Sequence, residues 1–368
     1  MIYFLGRYLY THFAKLSFFR LADYLSTRAI GAALTAIILT LYLTPIIIRY
    51  LHKKGMVDQQ RSTGVVSAFD KIGTPSMGGA IVVGCVLISC LLWCNLANLF
   101  LVVVLLGMTW FGMIGFIDDL TKAREKSGDR GMSESRKLVL QALFATALMT
   151  LMVSPWSPLP AAQAGAIYTP FVKFPIFQSL LVYAVVIFFF VIVVGNSVNI
   201  ADGMDGLAIV PSVFVIGVLG IFGYLLGNTI YANYLHYPFL PGAGELAIFA
   251  SAFAGAGIGF LWFNAYPAQI FMGDTGSMAI GGAAAAMCVV LQQEALFLIL
   301  GGMFLAEAVT SQIQEKIGIR WIGRRIFLRA PLHHRMQHNG LAETKVVIRL
   351  WIISGILALA ALATLKLR

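Results

Sequence analysis

The sequence predicts an all-α polytopic membrane protein with about ten transmembrane helices and both termini on the outer, periplasmic side. Three observations predict it. Hydrophobic residues make up 59% of the chain and charged residues 11%, where a soluble domain carries roughly a quarter charged. Mean hydropathy is +0.85. Apolar runs also recur at lengths approaching the roughly 20 residues that cross a bilayer: near 28–49, 77–95, 98–117, 137–153, 177–195, 206–226, 245–263, 277–292, 295–313 and 346–365.

The runs make a single membrane domain over 1–368. Residues 1–27 hold apolar stretches broken by Arg7, Lys15 and Arg20, which suits an interfacial segment better than a span. The run 277–292 is short and rich in Gly and Ala, as expected of a helix packed inside the bundle. Residues 314–345 form a long basic loop. Cys85, Cys90, Cys94 and Cys288 lie in or at the ends of apolar runs without metal-ligand spacing, and read as small buried residues.

Orientation follows from Lys and Arg, which favour cytoplasmic loops. The segments 49–76, 118–137 and 314–349 carry 19 of the 26 basic residues, whereas the alternate loops between helices carry Lys173 alone. The three basic segments are therefore expected in the cytoplasm, together with the connections at 196–205 and 264–276. The net charge of +10 favours anionic lipid headgroups and anionic substrates. Nucleic acid is a poor partner, since no soluble basic domain exists to hold it.

On this topology eight of the nine aspartates face the cytoplasm. Asp118, Asp119, Asp202, Asp205 and Asp274 each abut an apolar helix, where carboxylates are costly and repel one another. A cation relieves the repulsion, and hard oxygen ligands without cysteine point to magnesium or manganese. Asn196, Asn199, Asp202 and Asp205 recur every three residues, so a helical turn puts them on one face. Asp274 stands between glycines where it can ligate a metal or cap a helix with Ser277. Asn264 and Gln269 could read a base or sugar. The stretch from Lys71 to Gly79 suits a phosphate-contacting loop, or a turn leading into a tightly packed helix. His333 and His334, adjacent in the long basic loop, suit contact with a diphosphate.

The stretches GTPSMGG, GFIDD, GNSVNIADGMDGLA, FLWFNAYPAQIFMGDTGS and APLHH, then VVIRLWIIS, resemble the phospho-N-acetylmuramoyl-pentapeptide-transferase family. That family is one of the polyprenyl-phosphate N-acetylhexosamine-1-phosphate transferases. The resemblance runs from about Arg28 to Arg368. It implies a ten-helix homodimer of the bacterial inner membrane, working with Mg2+ on its cytoplasmic face. The implied reaction moves phospho-MurNAc-pentapeptide from UDP-MurNAc-pentapeptide to undecaprenyl phosphate, giving lipid I and UMP.

Residue by residue, the resemblance implies that Lys71, Asn199, Asp202, Asp205, Asn264 and Phe271 line the nucleotide-sugar site. Asn196 shares their stripe and joins the expected substrate-binding set, as does Arg335. Asp274 is the implied metal ligand, supported by Asp119 and Asp202. Asp118, Asp119, Asp202, Asp274, His333 and His334 form the expected catalytic set. The sequence departs from the family at Arg335 and Gln337, where a third histidine and a glutamate are usual, and at Ala201, where threonine is common. Two other functions stay open at this point. One is a sister transferase moving another HexNAc-1-phosphate. The other is an ion-coupled transporter using the intramembrane Glu307, which otherwise reads as a glutamate facing a packed neighbour.

Overall fold

The computed structural model describes residues 1–57, 73–125 and 131–367. In chain order the helices are α1 (Ile2–His12), a 3-10 helix (Ala14–Asp23), α2 (Leu25–Lys53), α3 (Gly79–Trp93), α4 (Leu99–Arg124) and α5 (Glu134–Val153). A two-stranded antiparallel ribbon follows, β1 (Ala166–Ile167) with β2 (Phe177–Gln178), in the register Ala166 to Gln178. Then come α6 (Leu180–Ala201), α7 (Ile209–Leu226), α8 (Thr229–Tyr234), α9 (Glu245–Asn264) and α10 (Gly273–Leu291). The chain ends with α11 (Phe297–Leu300), α12 (Gly302–Gln312), a π-helix (Ile313–Ile322), α13 (Leu332–His338) and α14 (Glu343–Leu367).

Eight of these helices are long and apolar enough to cross a membrane. The run expected at 77–95 is a shorter helix, α3, of 15 residues. The run expected at 295–313 is broken: α11 stops at Leu300, Gly301 breaks the run, and α12 starts at Gly302. A hydropathy count passes over that break, because glycine weakens a helix without making it polar. Lipid-facing stripes are plain on α2, where Ile30, Leu34, Ile38 and Tyr42 recur every fourth residue and are all exposed.

At the N-terminus, α1 and the 3-10 helix fold back on each other so closely that a Cβ at Gly6 would lie 2.7 Å from the Ala22 side chain. The Met1 ammonium group donates to the Leu91 and Leu92 carbonyls at the end of α3.

The bundle is organised around α10, whose residues from Thr275 to Leu291 are all buried. A helix can sit there only if its neighbours approach backbone to backbone, which small residues permit. A Cβ added at Gly79 of α3 would lie 2.1 Å from the Gly276 Cα. One added at Gly282 would lie 2.6 Å from the Gly107 carbonyl of α4, and one at Gly281 2.6 Å from the Gly195 carbonyl of α6. These contacts bring the C-terminal ends of α4 and α6 to the N-terminal end of α10, where the polar motifs converge.

Candidate active site

The N-terminus of α10 leaves backbone N–H groups without helical acceptors, and Asp119 supplies them from another helix. Its Oδ1 accepts from the Asp274 N–H at 3.1 Å, and its Oδ2 accepts from the Thr275 N–H at 2.9 Å and the Thr275 hydroxyl at 2.6 Å. Asp119 is buried and has its place on α4, so the cap ties the two helices together. Gly115, one turn earlier, makes the approach possible: a Cβ there would lie 2.1 Å from the Asp274 carbonyl oxygen.

Asp118, Asp119 and Asp274 thereby form a cluster in which one carboxylate oxygen from each lies within 4.8 Å of the others. Two lysines hold it. Lys122 Nζ lies 2.8 Å from Asp118 Oδ2 and 3.2 Å from Asp274 Oδ2. Lys137 Nζ lies 2.9 Å from each of the same two oxygens. Asp118 Oδ1 also accepts from the Met132 N–H at 2.6 Å, so the chain after residue 130 lies over it. The cluster is oxygen-only, with neither cysteine nor histidine, and fits a hard divalent cation such as magnesium.

Asp202 is partly buried at the C-cap of α6, outside this group of three. The remaining expected residues are placed as follows. Asn199, in the last turn of α6, accepts from the Ser277 hydroxyl of α10 at 3.0 Å. Asn196 exchanges two hydrogen bonds with Gln141 of α5, at 3.0 and 2.7 Å.

Asp205 Oδ2 accepts from the Ala268 N–H at 3.1 Å. Asn264 is buried, accepts from the Gly206 N–H at 3.1 Å and donates to the Ile270 carbonyl at 2.9 Å. Both side chains thus bind the segment 264–271 to the turn after α6. Phe271 is paired through its backbone, donating to the Pro75 carbonyl and accepting from the Gly78 N–H at 2.8 Å each, which places the segment 75–79 beside α10. Lys71 lies outside the described residues.

In α13 the three adjacent side chains are separated by burial. His333 is 1% exposed, His334 is half-buried and Arg335 is exposed. The two imidazoles lie 4.3 Å apart between centroids. Burial, and then the neighbouring His333, push the His334 ring down to about 4, so it is neutral near pH 7 and offers one N–H donor. Under His333 lies Glu307 of α12, fully buried. Its Oε2 is 3.1 Å from His333 Nδ1, and its Oε1 accepts from the His333 backbone N–H, also at 3.1 Å.

Lys122, Lys137 and Thr275 were not singled out as site residues by the sequence, and Glu307 stood out only as an intramembrane charge. Lys122 carried a signal, since it stands four residues after Asp118 and so on the same helix face. Lys137 and Glu307 reach their partners across helices, and no local spacing marks them.

The family model for glycosyl transferase family 4 matches residues 101–292, just over half of the chain. The matched span begins in α4 and closes just past α10, so it contains the aspartate cluster, both lysines and the turn after α6.

Proposed function

We propose a particular reaction for this chain, which belongs to glycosyl transferase family 4 and is accordingly a transferase of phosphosugars acting on a polyprenyl phosphate. The donor is UDP-MurNAc-pentapeptide, the acceptor undecaprenyl phosphate, and the products lipid I and UMP. The observation that carries the reading is the cluster of Asp118, Asp119 and Asp274 with Lys122 and Lys137 at one end of a membrane bundle. The basic segments support a cytoplasmic location for that end, where a soluble nucleotide sugar meets a lipid phosphate.

The physical problem is to join two anions. An oxygen of the acceptor phosphate bonds to the sugar-bearing phosphorus of the donor, the anhydride bond to the uridylate phosphate breaks, and UMP leaves. A phosphate monoester has its second pKa near 6, so the acceptor is largely deprotonated at neutral pH and direct attack needs little base catalysis. What remains is positioning and charge stabilisation, which is most of what phosphoryl transfer requires. The two ammonium groups supply positive charge beside the reacting phosphates. Asp118 and Asp274 would hold a magnesium ion, and Asp119 orients Asp274 by capping its helix. When bound, that ion supplies Lewis-acid neutralisation of phosphoryl oxygens. Asn199, Asp202 and the turn after α6 form the donor side. The choice of MurNAc-pentapeptide is supported by the PAQIFMGD stretch and the PLHH-to-WIIS region.

The test is UMP release by purified protein with undecaprenyl phosphate, Mg2+ and either UDP-MurNAc-pentapeptide or UDP-GlcNAc. Release with the first alone is expected. Release with the second alone transfers the reading to a sister transferase, and release with neither removes it. A sugar-phosphate adduct trapped on an aspartate would replace direct attack by a two-step route.

A further inference from the structure

Glu307 of α12 is a carboxylate with no exposed surface, and it spends both oxygens on one residue. The His333 backbone N–H lies 3.1 Å from Oε1 and 3.3 Å from Oε2, and His333 Nδ1 lies 3.1 Å from Oε2. A carboxylate in this setting accepts only, so Nδ1 carries the proton and the ring is fixed in position and tautomer.

The other ring nitrogen, Nε2, is buried and has no hydrogen-bond partner among the described residues. It points at the backbone of Gly203, where a Cβ would lie 2.3 Å from it. Gly203 itself is exposed, so the ring lies one layer beneath the surface of the turn after α6. That turn is braced on its other sides by Asn264 and Glu343, which accept from the Gly206 and Asp205 N–H groups at 3.1 and 3.3 Å. Trp351 donates to its Gly206 carbonyl at 3.2 Å.

We infer that Glu307 and His333 are positioning residues. Glu307 locks the imidazole, and the imidazole supports from below the turn carrying Asp202 and Asp205, which sets the geometry of the donor site. His333 on this reading acts through Gly203 and makes no direct contact with phosphate. The inference rests on the assignment of that turn to the nucleotide-sugar donor.

The experiment is a double-mutant cycle of Glu307→Gln and His333→Ala, followed by KM for each substrate and kcat. Glu307→Gln keeps the volume and loses the fixed acceptor pair. We expect donor KM to rise about tenfold or more, the scale typical of a residue that orients a functional histidine. Acceptor KM stays within a factor of about two, because uniform binding of the acceptor is untouched. The double variant is no worse than His333→Ala alone. Gly203→Ala, which pushes on the same ring, reproduces the donor KM rise.

Additive losses, or a fall in kcat at unchanged donor KM, overturn the inference. Hydrogen exchange separates this failure from failure of the transferase reading, because it needs no substrate. The Asp205 and Gly206 amides should exchange faster in Glu307→Gln than in wild type. Unchanged protection there overturns the positioning role even if UMP release is normal. Should Glu307→Gln not fold, Glu307→Asp, which withdraws the carboxylate by one methylene, is measured in its place with the same outcomes.

Discussion

Asp119 on α4 caps α10 by accepting from both the backbone N–H and the hydroxyl of Thr275, at 2.9 and 2.6 Å. The neighbour of Asp118 thus acts on the site through another helix. Thr275→Val removes one hydroxyl donor at nearly constant shape and should cost about 1.5–3 kcal/mol, the range for a hydrogen bond to a charged group, with turnover kept. Asp119→Asn sets its amide nitrogen against at least one backbone N–H whichever way the amide is turned, since Asp274 and Thr275 donate to different oxygens, and should abolish UMP release while Thr275→Val does not. Equal activity in the two variants would show that the cap does not set Asp274.

Gly115 tests the same geometry from the backbone. A methyl at this position meets the Asp274 carbonyl oxygen at 2.1 Å. Rigid backbone cannot yield as a side-chain tip does, so Gly115→Ala must push α10 away from α4. Overpacking of this kind costs about 1–3 kcal/mol. Turnover should be lost in protein that still purifies as a folded membrane protein. Gly84, whose Cβ would meet nothing within 4 Å, is the control: Gly84→Ala on α3 should leave turnover unchanged. Retained activity in Gly115→Ala would mean that the separation of Asp274 from Asp118 and Asp119 is not critical.

These two contacts mark the limit of what the chain shows before it is folded. The length of apolar runs placed most spans, because hydropathy is local. It could not register the interruption at Gly301, or the start of α10 at Gly273 ahead of its most apolar stretch. Asp118, Asp119 and Asp274 were legible because carboxylates beside apolar helices are conspicuous. Their division of labour was not, since Asp119 is defined by a helix 155 residues away. Lys122 and Lys137 were counted as charges that orient the protein, and only packing joins them to the aspartates. Asn264 and Asp205 look like ligand-binding groups in sequence, yet each spends hydrogen bonds on backbone N–H groups of this chain.

The lysine pair is redundant by construction. Each ammonium group contacts both Asp118 Oδ2 and Asp274 Oδ2, so removing one leaves each carboxylate still paired. Lys122→Met or Lys137→Met alone should therefore lower the apparent Tm only slightly. The double variant leaves two largely buried carboxylates without a cation, and loss of a buried partner costs about 3–5 kcal/mol. Its Tm should fall by more than the two single effects together. Strict additivity in detergent-solubilised protein without added divalent cation would show that the lysines act separately. Added Mg2+ should restore part of the double variant's Tm.

Glu294 lies just past the far end of α10, about 28 Å along the helix from Asp274 by its length of 19 residues. It is 4% exposed, and neither carboxylate oxygen has a hydrogen bond among the described residues. The nearby Tyr183 hydroxyl, which donates to the Val289 carbonyl at 3.2 Å, faces this carboxyl as well and offsets only part of the cost of burying it. The C-terminal end of α10 also presents the negative pole of its dipole. Burial raises the Glu294 carboxyl from its ordinary 4.5 to about 8.

The folded protein therefore binds this proton more tightly than the unfolded chain. The resulting stabilisation is fully present below pH 4.5 and is lost as pH rises through about 8. Wild-type Tm should fall between pH 5 and pH 8, and Glu294→Gln, neutral throughout, should fall less. At pH 8 the variant should be the more stable protein by several degrees, since each tenfold change in proton affinity is worth about 1.4 kcal/mol. A lower Tm for Glu294→Gln at pH 8 would mean that the carboxylate is ionised and paired in the fold.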